Sequence, residues 1–75
     1  MDKIRLSNQQ QKIYDYLKAY KVYFRRAPTR GEIARIAFNG KISRQAVDQQ
    51  LHLMEKKGWI RIIKNQGHRN LKLRK

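Results

Sequence analysis

Cysteine is absent from these 75 residues, which excludes a disulfide framework, a cysteine-ligated zinc and thiol chemistry. Acids are scarce, five against nineteen lysines and arginines, so the formal net charge is +14. Proline occurs once and glycine four times, and no repeat, linker or low-complexity stretch interrupts the chain. No apolar run approaches the roughly 18 residues a membrane span needs. The opening Met1-Asp2-Lys3-Ile4-Arg5-Leu6 has no apolar core of a secretory signal, so a soluble, cytoplasmic protein is expected. Catalysis finds no footing either: there is no nucleophile beside a base, no carboxylate dyad and no glycine-rich phosphate loop. His52 and His68 are the only histidines and have few carboxylates near them in sequence, so neither a metal nor a cofactor is expected.

What is present suits one small domain over residues 1–75. Hydrophobic residues make up 40% of the chain, too many for a disordered basic tail. The charge is one-sided. Residues 56–75 hold eight basic side chains and no acid, whereas the first 55 hold the other eleven together with all five acids, a net of +6. A surface that served solubility alone would intersperse the signs. This distribution attracts a polyanion, and a nucleic acid is the expected partner.

Periodicity places the elements. Ser7 with Gln10 forms a capping box, and Ile13, Leu17, Tyr20 and Phe24 then recur at helical spacing. A first helix is predicted from about Asn8 to Phe24, its aromatic end buried, with Tyr14, Tyr16 and Tyr23 widening the apolar face and some of these three left exposed. Arg25-Arg26-Ala27-Pro28 ends it, because proline disfavours helical geometry at the residue before it. Thr29 and Glu32 form a second capping box that opens a short helix over about 30–37, with apolar contacts from Ile33, Ala34, Ile36 and Ala37. Asn39-Gly40 alone suggests a hairpin, but no alternation flanks it, so it reads as a helix–helix turn. Ser43 caps a third helix over about 44–57 with Val47, Leu51 and Met54 as its core stripe, and Gly58 ends it. Trp59 through Ile63 and Asn70 through Arg74 read as two antiparallel strands joined by a polar tip of residues 64–69. Ile60, Ile62, Leu71 and Leu73 are expected to face the helices. The fold class is α+β, a three-helix winged helix-turn-helix with a C-terminal two-stranded antiparallel hairpin as its wing.

In such a fold the third helix offers Arg44, Gln45, Asp48, Gln49 and His52 to a major groove. Glutamine bonds adenine bidentately, arginine bonds guanine, and aspartate accepts from cytosine N4. The plain alternative is a solvated helix face. Asp48 is the odd member, since an acid near phosphates weakens binding; it either reads cytosine or orients Arg44. Thr29 and Arg30 stand at a helix N-terminus, where capping alone would also account for Thr29. Arg25, Arg26 and Lys41 are candidate flanking phosphate contacts. Lys64, Asn65, Gln66, His68 and Arg69 populate the wing tip, where lysine or arginine enters a minor groove or clamps a phosphate. Trp59 is expected to anchor the core rather than stack on a base.

The stretches Gln9-Gln10, Pro28-Thr29-Arg30-Gly31-Glu32-Ile33-Ala34 and Leu51 through Lys57-Gly58-Trp59-Ile60-Arg61-Ile62 resemble the N-terminal DNA-binding domain of the LexA family of bacterial SOS repressors. The resemblance covers nearly the whole chain and implies a third helix that reads bases, with a wing on backbone or minor groove. It implies base contact by residues matching Ser43, Gln45, Ala46, Asp48 and Gln49. Gln45, Asp48 and Gln49 differ in type from the family's usual residues, so a different operator is implied. The turn between helices 2 and 3 is longer than the family's. The family's self-cleaving C-terminal protease domain has no counterpart here, so autoproteolysis and the dimerisation it carries are not implied.

The expected function is a sequence-specific, nucleoid-associated regulator of transcription that binds double-stranded DNA. Repression by occupying an operator is the favoured form, with two copies on an inverted repeat supplying affinity. Winged helices also serve as protein-interaction or replication-assembly modules and as RNA-binding domains, and fold alone does not choose among these. The polar third helix favours base reading, since an interaction module would expose apolar anchors there.

Overall fold

The computed structural model describes residues 4–63 and 71–73. Helix α1 spans Asn8–Phe24, α2 spans Arg30–Glu32 and continues as a π-helical turn over Ile33–Ala37, and α3 spans Arg44–Lys56. Strands β1 (Ile60–Ile62) and β2 (Leu71–Leu73) pair antiparallel, with Ile60 opposite Leu73 and Ile62 opposite Leu71. This is a winged helix-turn-helix.

Local signals set the helix starts. Ser7 Oγ accepts from the Gln10 N–H while Gln10 Oε1 accepts from the Ser7 N–H, and Thr29 and Glu32 repeat the arrangement at α2. Ser43 Oγ accepts from the Ala46 N–H at 3.1 Å to start α3. Each cap satisfies donors that the first helical turn cannot bond internally. Gly58, at φ 86°, releases the chain from α3 in the left-handed region that glycine adopts without strain.

Ile13, Leu17, Ile33, Val47, Leu51, Met54 and Ile60 meet in one core, with Leu71 and Leu73 packed against it from the wing. Fully burying such a side chain contributes roughly 1.5–3 kcal/mol. Pro28, read from sequence only as a helix breaker, is itself fully buried. Gln10 is the buried polar residue among those described, and it is well connected. Its Nε2 donates to Gln50 Oε1 at 2.9 Å, and its Oε1 accepts from Lys57 Nζ at 2.6 Å. Lys57 also donates to the Arg5 carbonyl, and Trp59 Nε1 donates to the Ile4 carbonyl, so the N-terminal segment is tied to the end of α3. Trp59 is half-buried and meets Tyr14 edge-on at 5.3 Å, an anchoring role as expected.

Two expectations are corrected. The aromatic end of α1 is not buried: Tyr20 is, but Phe24 is 56% exposed and Tyr23 more so. Arg25 leaves the helix at φ 56°, and the chain turns away before it can cover Phe24, which packs on Tyr20 at 4.5 Å instead. The second helix occupies the expected residues but is not α-helical throughout, and Ile36 is 52% exposed rather than a core contact. Its last turn widens. The Gly40 N–H reaches back to the Ala34 carbonyl at 2.9 Å, with Asn39 and Gly40 both left-handed at φ 54° and 75°. That geometry carries Phe38 into the core; Ile33 and Ala34 then fill the inward face and Ile36 is left outside.

Candidate nucleic-acid interface

The spacing that sends Val47, Leu51 and Met54 inward sends a polar set outward. Ser43, Arg44, Gln45, Gln49 and His52 are exposed, while Ala46 and Asp48 lie at the edge, half-buried. The N-terminal turn of α2 lies against the first turns of α3. Arg30 Nε donates to Asp48 Oδ1 at 3.2 Å, across the two helices, and His52 Nε2 lies 3.2 Å from Asp48 Oδ2. Asp48 therefore pairs with Arg30 and His52, not with the Arg44 proposed from sequence. Arg44 packs elsewhere: a Cβ at Gly31 would lie 3.3 Å from its Cδ, so its aliphatic stem runs along the surface that Gly31 leaves bare. Thr29, Arg35 and Arg44 line one shallow cleft there.

A second basic group forms away from that junction. Arg25 and Arg26, both exposed, line a cleft with Lys21 and Lys72 between the end of α1 and the wing. The Arg26 guanidinium sits 5.9 Å from the centre of the Phe24 ring. Lys41 stands exposed in the α2–α3 turn. Lys64, Asn65, Gln66, His68 and Arg69 lie outside the described residues.

Strand register adds a pair that the sequence reading did not single out. Arg61 and Lys72 are directly opposite each other and both exposed. Like charges so placed destabilise a sheet, an arrangement that suits a surface meeting a polyanion. The strand period and hairpin pairing carry the signal that finds them. Glu55 lines a separate cleft with Arg61 and Lys72, but its Oε2 accepts from the Ile62 N–H at 2.8 Å, which fastens β1 to α3. Gln50, also missed, looks from sequence like one more glutamine of the reading face, yet it bonds Gln10.

Glu32 also bonds within the fold. Glu32 accepts from the Thr29 N–H with one oxygen and from the Tyr20 hydroxyl, at 2.6 Å, with the other. Asp15 accepts from Gln11. Burial first, and the Glu32 charge second, push the Tyr16 hydroxyl above the ordinary tyrosine value. Glu32, Asp48 and Glu55 thus join one element to another, whereas the Asp15 bond stays on the exposed face of α1. Among the described residues no group of three or more metal-ligating side chains converges, and no helix is long and apolar enough to cross a membrane.

A family model described as the LexA DNA binding domain matches residues 3–69. No curated protein matches the chain significantly.

Proposed function

The chain belongs to the LexA DNA binding domain family, and we propose that it acts as a sequence-specific repressor that reads an operator with α3 in the major groove. Membership makes it a DNA-binding regulator; the rest is carried by one observation. The face of α3 turned from the core carries Arg44, Gln45, Gln49 and His52, with Gln45 and Gln49 one helical turn apart and Arg44 beside them, while Leu53 is the large apolar side chain exposed nearer the helix end. Glutamine and arginine at that spacing match the paired donors and acceptors of adjacent base edges. Arg25, Arg26, Thr29, Arg30 and Lys41 then serve as phosphate contacts. The wing, through Arg61, Lys72 and the tip cations Lys64 and Arg69, follows the backbone or minor groove. Two copies on an inverted repeat give the affinity that one half-site lacks.

The test is selection of binding sites from a randomised duplex pool at fixed near-physiological salt with excess non-specific competitor. Enrichment of one motif is expected, and an inverted repeat within it supports paired copies. Salt-sensitive binding without enrichment would overturn base reading and move the RNA-binding and protein-interaction roles ahead.

A further inference from the structure

The acid in the middle of the polar face of α3 is misplaced for a surface that meets phosphates, and its geometry gives it another task. Its Oδ1 accepts from Arg30 Nε at 3.2 Å, and His52 Nε2 lies 3.2 Å from its Oδ2. The Arg30 side chain is only 15% exposed and that of Asp48 44%, so the pair lies partly shielded in the seam between α2 and α3. A pair with restricted solvent access holds its geometry better than an open surface pair. A carboxylate reading cytosine would have to turn a remaining lone pair outward to the base.

We propose that Asp48 is a positioning residue and not a base reader: it fixes the Arg30 guanidinium at the first turn of α2, from which Arg30 binds a phosphate of the operator. This rests on the DNA-reading function proposed above. Arginine presents its donors in a rigid planar fork. Holding the Nε edge of that fork on Asp48 restricts the directions the plane can take, and His52 lies beside the second carboxylate oxygen. Asp48 then affects DNA through Arg30 alone, and it affects all sequences equally, because a phosphate carries no sequence information.

The sign of one substitution separates the roles. Asp48→Asn removes a negative charge from a surface that binds a polyanion, so a bystander acid would leave DNA binding tighter. If Asp48 positions Arg30, affinity instead falls about fivefold, a coupling of ordinary size for residues in contact. It falls alike on the selected duplex and on a random one, and the slope of log affinity against log salt drops by about 0.9 for the lost phosphate contact. In an Arg30→Gln background the same Asp48→Asn change loses its penalty and tightens binding. Arg30→Lys, which keeps the charge and loses the fork, weakens binding as Asp48→Asn does; thermal melts of every variant correct each affinity for the folded fraction. Tighter binding by Asp48→Asn with Arg30 present overturns the proposal. So does a changed base preference at one position, which would make Asp48 a reader, or unaltered binding by Arg30→Lys. Failure of the unsubstituted protein to prefer any duplex would be a different result: it would remove the DNA-reading function itself, whatever the variants did.

Discussion

Along α3, Val47, Leu51 and Met54 are wholly withdrawn from solvent, while Arg44, Gln45, Gln49 and His52 stand out in it. The two faces belong to one thirteen-residue helix with one cap and one dipole, so no backbone property distinguishes them. They differ in what decides their residues. On the inner face volume and shape decide, because a packed interior answers to every methylene. On the outer face hydrogen-bonding pattern decides, and a change there leaves the packing untouched. Stability and recognition are therefore separable along this helix, and substitutions on each face should move one quantity and spare the other.

The inner face gives the largest effect. Leu51→Ala leaves a cavity in the core that the helices and β1 share, and should destabilise the protein by about 2–5 kcal/mol. Urea denaturation followed by circular dichroism measures this, and a loss below about 1 kcal/mol would mean that the inner stripe is not close-packed. The folded fraction should retain the parent's sequence preference. On the outer face, Gln45→Ala should weaken binding to the selected duplex by about 1–3 kcal/mol and relax preference at one base pair. Its melting temperature should not move. Unchanged preference would remove Gln45 from the reading set, and a lowered melting temperature would break the separation of the faces.

The same contrast explains how much could be read from the sequence. Apolar recurrence, capping boxes and the strict alternation of Asn70 through Arg74 are local properties, so α1, α3 and the facing of the wing strands follow from them. Phe24 and Ile36 satisfy the same period yet lie exposed: Phe24 sits in the last turn of α1, and at Ile36 the widened turn brings Phe38 to the core instead. Periodicity identifies a face, but only tertiary structure decides how far along that face the burial extends. The roles of Asp48 and Gln50 were hidden for a related reason. Their partners, Arg30 and Gln10, are 18 and 40 residues away in the chain, and no local pattern couples them.

Ser43 tests the boundary between the faces, since it is both a cap and a candidate DNA contact. Ser43→Ala loses the bond to the Ala46 N–H and should cost about 1 kcal/mol of stability. Ser43→Asp restores a capping oxygen but brings a negative charge toward the phosphates. Stability recovered by aspartate while DNA affinity stays low would assign Ser43 to both faces. Affinity that tracks stability through both substitutions would leave it a cap alone.

The smallest effect is expected at Gly31, and its sign is the informative part. Glycine inside a helix is disfavoured by roughly 0.5–1 kcal/mol relative to alanine, and Gly31 has no positive φ to justify it. A Cβ there would lie 3.3 Å from Arg44 Cδ, tighter than ordinary contact, but the neighbour it meets belongs to a long, exposed side chain that can shift by a few tenths of an ångström. Gly31→Ala should therefore stabilise the fold by up to about 0.5–1 kcal/mol. The same shift displaces Arg44 at the head of the reading helix, so affinity for the selected duplex should fall while the fold gains. A variant that is more stable and binds as tightly as the parent would show that the Arg44 stem needs no bare surface to lie on. A variant that is less stable would mean that Arg44 is held more firmly than its exposure suggests, and that the outer face of α3 is fixed by packing after all.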